Sequence, residues 1–151
     1  IRQFENLYLS SQIRRVAKAP LNGSMLYVLE PVRSNWGLEQ NGEFQALDYT
    51  LKNLNIFDPL HVQRIILRLH PSEVADKYDK YLKADTRIEI DASHEIYQSI
   101  SKADIVVGVE SFGLTLALAA GRPVYSSLPP WAPELRLPHE GIKQIRRICS
   151  S

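Results

Sequence analysis

The sequence has 151 residues, 44% of them hydrophobic, and a formal net charge of +1. This length and composition fit one domain with a sizeable apolar core, and the balanced charge argues against a dedicated nucleic-acid surface and against an acidic tail. The single cysteine, Cys149, excludes an internal disulfide and a cysteine-based zinc site. No signal peptide is visible, and no apolar run approaches the roughly 20 residues of a membrane span.

Short apolar segments alternate with helix-type periodicity along most of the chain. Residues 1–19 are predicted to form an amphipathic helix, which could be a linker from a missing upstream domain because the chain begins at Ile1. The predicted strands cover residues 25–30, 64–70, 88–90, 105–107 and 123–125. The other predicted helices cover residues 43–55, 71–84, 95–102, 114–121 and 141–149.

This alternation predicts one α/β domain over residues 1–151, built on a doubly wound, parallel, Rossmann-like sheet of five to six strands. The third strand is expected at one edge and the last strand at the other, with the first and fourth adjacent in the middle. Such sheets bind ligands where the winding direction reverses. A ligand crevice is therefore predicted at the carboxyl ends of the first and fourth strands.

The turn after the fourth strand is the strongest candidate for a binding site. The stretch DIVVGVESFGLTLALAAGRPVYSS, residues 104–127, reads as strand, tight turn, helix and strand. Unpaired amides and a partial positive charge at the start of the helix would favour phosphate or carboxylate near Ser111 and Gly113. The alternative is that Ser111 only caps the helix and Gly113 only turns the chain.

The second candidate is the segment His70-Pro71-Ser72-Glu73, which follows the second predicted strand. The His70 imidazole could bind a phosphate near neutral pH, and Glu73 could accept hydrogen bonds from a ribose or a base edge. In the alternative interpretation His70 is a half-buried strand end and Glu73 is a capping carboxylate in the first turn of a helix. Trp36, in the loop after the first strand, could likewise stack on a ligand or cover the edge of the core.

These two segments together carry a resemblance to a known family. The string RLHPSE after an apolar strand, followed later by ADIVVGVESFGLTLALAAGRPVYS, resembles the C-terminal, nucleotide-binding half of a GT-B glycosyltransferase. It is similar in particular to bacterial sialyltransferases and polysialyltransferase-like capsule enzymes, which carry a His-Pro motif and a later serine motif around the donor phosphate. The resemblance covers roughly residues 24–145, and UDP-sugar 2-epimerases share the same half-fold.

The resemblance implies roles for individual residues. His70 would be the catalytic group, in contact with the phosphate of the leaving nucleotide. The remaining residues implied by the resemblance bind the nucleotide or the donor sugar: Glu73, Glu110, Ser111, Phe112, Gly113, Thr115, Ser126 and Ser127.

The resemblance also implies a function. The chain would be the donor-binding domain of an enzyme of surface or capsular carbohydrate synthesis, with CMP-sialic acid as a donor. Its partners would be a nucleotide sugar, a carbohydrate acceptor and a second half-domain that supplies the catalytic base. No metal or other cofactor is expected, because the sequence has no D-x-D motif, and the location would be the cytoplasm or the inner face of the membrane. The alternative function is a non-catalytic module that binds a nucleotide or sugar phosphate, or a UDP-sugar 2-epimerase-like domain.

Overall fold

The computed structural model describes residues 2–58, 60–136 and 140–149, and the side chains from residue 7 onward within them. The strands are β1 (Ser24–Val28), β2 (Arg64–Arg68), β3 (Ile88–Ile90), β4 (Ile105–Gly108), β5 (Val124–Ser126) and β6 (Lys143–Gln144). The helices are α1 (Arg2–Arg15), α2 (Gly42–Lys52), α3 (Asp79–Ala84), α4 (Ile96–Ser101), α5 (Phe112–Ala119) and α6 (Ile145–Cys149), and a 3₁₀ helix covers Leu54–Phe57.

The six strands form one parallel sheet in the order β3-β2-β1-β4-β5-β6. The winding direction reverses between β1 and β4, so the predicted doubly wound, Rossmann-like fold is confirmed. The predicted adjacency of the first and fourth strands is also correct. The closing segment differs from the prediction, because its first part, β6, pairs with β5 as a sixth strand before α6 begins.

Apolar side chains cover both faces of the sheet, as expected for parallel strands. All five residues of β1 are buried, and alternate β1 side chains enter two separate clusters. Met25 and Tyr27 pack with α2 and the 3₁₀ helix, whereas Leu26 and Val28 pack with α4 and α5. Each fully buried side chain of this size contributes about 1.5–3 kcal/mol relative to an exposed one.

Helix α1 is docked on this domain. Leu9 and Val16 pack against the cluster beneath α5, and the Gln12 side chain accepts a hydrogen bond from the Tyr97 amide at 3.2 Å. The contacts of α1 lie on α4 and α5, on the face of the sheet opposite α2. Its predicted role as a linker to an upstream domain stays a prediction.

The segment between β2 and β3 differs most from its prediction. A helix was expected over residues 71–84, but residues 71–78 form successive turns and the helix begins only at Asp79. The Glu73 carboxylate is turned inward and accepts hydrogen bonds from the His70 amide and the Tyr78 hydroxyl, at 2.8 and 2.6 Å. The turns follow from this inward carboxylate and from the buried Tyr78 ring, which a regular helix starting at residue 71 would place elsewhere.

The entry to β1 is fixed by one carboxylate. Asp104, which is buried just before β4, accepts hydrogen bonds from the amides of Leu21, Asn22, Gly23 and Ser24 at 2.6–3.3 Å. These bonds place the start of β1 beside the start of β4. They therefore set the pairing on which the centre of the sheet is built.

Asp104→Ala should lower the free energy of unfolding by about 3 kcal/mol, because the buried amides of Gly23 and Ser24 would lose their acceptor. Urea denaturation measures the change. The control is Asp76→Ala, at an exposed aspartate, which should change stability by less than about 0.5 kcal/mol. Equal stability of the two variants would show that Asp104 does not organise the entry to β1.

Candidate functional site

A cavity of about 540 Å³ opens at the carboxyl ends of the central strands. Its walls come from segments that follow β1, β4 and β5, within residues 30–36, 109–110 and 128–136. The winding direction of the sheet reverses between these central strands, and the sequence predicted a ligand crevice at their carboxyl ends. Ligands of parallel α/β sheets bind at such positions, so the cavity defines the candidate site.

Charged side chains of both signs line the cavity. Glu30 and Arg33 follow β1, Glu110 follows β4, and Arg136 comes from the loop after β5. Trp36 adds an aromatic wall, and its other contacts are with a small apolar cluster beneath the cavity. The tryptophan therefore covers the edge of the core and also faces the cavity. The two alternatives given for Trp36, a core cover and a ligand-stacking surface, are thus compatible.

Glu30 lies between β2 and β4 at the centre of this edge. One carboxylate oxygen accepts a hydrogen bond from the Glu110 amide at 2.8 Å. Burial raises the pKa of Glu30, the neighbouring Glu110 carboxylate raises it further, and the Glu110 amide, His70 and Arg136 oppose the rise. A half-buried carboxylate with a raised pKa, located in a cleft, is a typical feature of a functional site.

Glu110 is held by the loop after β5. Its carboxylate accepts a hydrogen bond from the Arg136 amide at 2.7 Å and forms an ion pair with the Arg136 guanidinium at 3.1 Å. Arg136 is 86% exposed, whereas Glu110 is 17% exposed. The pair closes one side of the cavity and leaves the arginine accessible to a ligand.

Ser111 lies at the N-cap position of α5, but its side chain does not cap the helix. The hydroxyl oxygen is buried and has no hydrogen-bond partner among the described residues. The amides of Phe112 and Gly113 are in the first turn, where helix geometry provides no acceptor. The turn therefore carries unused donors, and the binding of an anion there stays a prediction.

Gly113 serves packing as well as the turn. A Cβ atom there would lie 3.0 Å from Ile96 and 3.3 Å from Val28, so glycine lets α5 approach α4 and β1 closely. Phe112 is 57% exposed at the start of the helix, and Thr115 is half-buried one turn along it. Both are thus near the helix N-terminus, and their contact with a donor stays a prediction.

His70 is exposed at the same edge of the sheet, two residues beyond the end of β2. The Ser72 amide donates to Nδ1 of His70 at 3.1 Å, so the proton of the neutral ring lies on Nε2. Among the described residues Nε2 has no hydrogen-bond partner. The ring therefore offers a donor on its free side.

Strand β1 lies between the His70 segment and the α5 turn. With strands about 4.8 Å apart, the ends of β2 and β4 are separated by about 10 Å. The histidine and the turn therefore follow strands that are not adjacent. Glu30, which the sequence analysis did not select, occupies the gap.

Three of the predicted donor-binding residues have their polar groups occupied inside the protein. The Glu73 side chain is 1% exposed, and Ser126 and Ser127 are fully buried. The Ser126 hydroxyl donates to the Val109 carbonyl and the Ser127 hydroxyl bonds to the Tyr27 hydroxyl, both at 2.8 Å. A ligand would have to break these bonds, so the geometry gives no support to direct contacts from these three residues.

Sequence reasoning missed Glu30 and Arg136 as site residues. Glu30 directly follows β1, so its position at the strand end was a signal that could have selected it. Arg136 lies in a proline-rich loop and reaches the cavity only through its pairing with Glu110. No local pattern announces that contact.

The described residues contain no group of three histidine, cysteine or acidic side chains arranged to hold a metal ion. The expected independence from metals stays a prediction. In the described part of the chain, no helix has the length and apolar character needed to cross a membrane.

The architecture and the cavity together define an α/β, Rossmann-like domain with a ligand site at the reversal of its sheet. A scan against known protein families finds no match, and a search of curated proteins finds none either. Among solved structures the chain is similar to Thermosulfurimonas dismutans KpsC, a β-Kdo 2,7-transferase, with a TM-score of 0.52 and 19% sequence identity. The match covers 95% of this chain and 45% of that chain, so this chain spans less than half the length of that structure. The domain therefore shares its fold with part of that structure.

Glu30→Gln should make the protein more stable than wild type at pH 7 and leave it equally stable below about pH 4. Because burial raises the folded-state pKa of Glu30, the charged carboxylate disfavours the native state once the pH exceeds that value. The neutral amide carries no such cost and can still accept from Glu110. Urea denaturation across this pH range measures the difference.

The matched control is Glu39→Gln, at an exposed glutamate in the same loop, which should show no pH-dependent gain. If Glu30→Gln lowers stability by the same amount at both pH values, Glu30 is a structural acceptor rather than a strained carboxylate of the cavity.

Proposed function

We propose that this chain is the donor-binding domain of a GT-B-like glycosyltransferase of surface or capsular carbohydrate synthesis, with a CMP-linked sugar such as CMP-sialic acid as donor. The observation that carries the proposal is the cavity at the carboxyl ends of β1 and β4, beside the unused donors at the start of α5. The likeness to a Kdo transferase supports the class of enzyme.

The phosphate of the donor is proposed to bind at the start of α5. The amides of Phe112 and Gly113 and the Ser111 hydroxyl are donors, and the helix dipole adds about half a positive charge. A phosphate oxygen would give the buried Ser111 hydroxyl the partner that it lacks. Binding would thus satisfy polar groups whose burial otherwise destabilises the domain.

His70 is proposed to contact the same nucleotide from the other side of β1. Its Nε2 proton can be donated to a phosphate or ribose oxygen, and the gap of about 10 Å between the two strand ends suits one nucleotide lying across Glu30.

The proposed chemistry is transfer of the sugar from the nucleotide to an acceptor hydroxyl. The bond between the anomeric carbon and the phosphate oxygen breaks, and the departing phosphate retains the electron pair. His70 and the α5 donors stabilise that charge without a metal. The acceptor oxygen forms the new bond, and its proton passes to a base that we assign to a second half-domain outside this chain.

The cavity is proposed to hold the sugar end of the donor. The carboxylates of Glu30 and Glu110 can accept hydrogen bonds from sugar hydroxyls, and Arg136 remains accessible for a negatively charged substituent. The Trp36 ring provides an apolar surface for the sugar ring.

A second function remains open, in which the domain binds a nucleotide or sugar phosphate without catalysing transfer. This function requires only the cavity and the α5 donors, and no second half-domain. Titration with CMP, UDP and their sugar conjugates tests the ligand binding that both functions require, and a preference for UDP over CMP would favour a UDP-sugar 2-epimerase-like domain.

His70→Ala and Ser111→Ala should each weaken CMP binding by about 10- to 150-fold, the equivalent of about 1.5–3 kcal/mol for one charge-assisted hydrogen bond. Isothermal titration calorimetry measures the affinity, and thermal denaturation checks that each variant is folded. His61→Asn is the control. His61 is exposed before the start of β2, at the end of the sheet away from the cavity, and asparagine tolerates its positive φ of 52°.

Two results would contradict the proposal. One is that no nucleotide binds to the wild-type protein. The other is that both alanine variants are less stable than wild type but bind CMP with unchanged affinity when they are measured under conditions in which they are folded. His70 and Ser111 would then be structural residues.

A further inference from the structure

A buried ion network connects the two segments that flank the candidate site. The Lys77 ammonium lies between two carboxylates, 3.0 Å from Glu43 and 2.8 Å from Glu73. Both carboxylates are almost completely buried, with side chains 4% and 1% exposed, and Lys77 is 20% exposed. Ion pairs this deeply buried are uncommon in proteins, and they constrain the groups that they join.

Each carboxylate also holds one loop of the site. The second oxygen of Glu43 accepts a hydrogen bond from the Val32 amide at 2.8 Å, and Val32 is part of the cavity wall. The second oxygen of Glu73 accepts from the His70 amide at 2.8 Å. A continuous path therefore runs from the wall of the cavity through Glu43, Lys77 and Glu73 to the histidine.

The electrostatics favour the charged forms of Glu43 and Lys77. Burial favours the neutral form of Glu43, but the Val32 amide and Lys77 overcome it and lower its pKa. Burial would likewise lower the pKa of Lys77, yet Glu73 and Glu43 raise it. Loss of the ammonium would leave two buried carboxylates facing each other without a cation.

We propose that Lys77 is a positioning residue that fixes the His70 loop against the cavity wall at Val32, so that the two sides of the site keep one relative placement. Its effect on nucleotide binding rests on the proposed function, whereas the mechanical link between the loops does not. Lys77 itself contacts no ligand, because its ammonium is enclosed by the carboxylates and by the rings of Phe44 and Tyr78, each 5.5 Å away.

An ordinary stabilising ion pair would predict something different from this link. A purely structural pair affects the whole fold, so its loss would speed amide exchange throughout the sheet. Loss of a positioning network speeds exchange selectively at the two loop amides, and a substitution at one end of the network also speeds exchange at the other end. The Val32 and His70 amides report on the two ends separately.

Residue-specific amide hydrogen exchange in the ligand-free protein, followed by calorimetric titration with CMP, tests the proposal. Lys77→Met should speed exchange at both Val32 and His70 at least tenfold relative to the core amide of Ile66, and should weaken CMP binding about tenfold. Lys77→Arg should restore both properties, because the guanidinium can still reach two carboxylates.

A second variant keeps the test decisive if Lys77→Met does not fold. Glu43→Gln retains an acceptor for Val32 but removes one charge from the network, and it should speed exchange at His70, which Glu43 does not touch. Lys80→Met is the matched control, because Lys80 packs on the rings of Phe44 and Tyr81 but contacts no carboxylate in the described part of the chain.

The proposal is overturned if His70 exchange is unchanged in Glu43→Gln, or if Lys80→Met affects the two loops as strongly as Lys77→Met. If the loops respond as expected but wild-type protein does not bind CMP, the link stands and the proposed function fails. The two conclusions are therefore separately testable.

Discussion

The junction between β1 and β4 is the constraint on which this molecule depends. Here the sheet reverses its winding direction, and the chain must bring two strands and a returning helix close together. Gly108 makes this possible, since a Cβ atom there would lie 2.9 Å from the Val28 carbonyl oxygen and 3.2 Å from Leu114. Without that approach, α5 could not start beside β1, and the cavity would lose the wall that carries Glu110.

The charged groups around this junction are arranged at some cost to stability. Among the described residues, Glu30 is half-buried without a cation in direct contact, and the Ser111 hydroxyl is buried without a hydrogen-bond partner. By contrast, Glu43 and Glu73 each form an ion pair with Lys77. Glu30 lines the cavity and Ser111 directly follows the cavity residue Glu110, whereas Glu43 and Glu73 are not part of the cavity wall. Unpaired polar groups at a cavity and paired ones away from it are the distribution expected when a site is prepared for a ligand.

Much of the fold follows from local sequence, because apolar β-branched runs and helical periodicity depend on neighbours in the chain. The third strand was predicted with its observed bounds, Ile88–Ile90, and the central position of β1 and β4 followed from the order of elements. The start of α3 did not follow, because the inward turn of Glu73 depends on Lys77 and on Glu43 from another helix. Local periodicity contains no record of that contact.

The site was predictable only in part, for a related reason. The turn at Ser111 and the strand end at His70 could be located from the sequence, because both follow apolar strands. Whether a hydroxyl or carboxylate faces a ligand is decided by packing across the sheet. Thus the Ser127 hydroxyl is hydrogen-bonded to Tyr27, which is distant in sequence. Glu30, in contrast, was not selected from the sequence although it lines the cavity and accepts a hydrogen bond from the Glu110 amide.

The most direct test of this account is a crystal structure of the protein with CMP bound. We expect the phosphate at the first turn of α5, within hydrogen-bond distance of Ser111 and the Gly113 amide, and the His70 ring on the same nucleotide. A nucleotide bound at the amino ends of the strands, or a phosphate held entirely by residues outside this turn, would contradict the account.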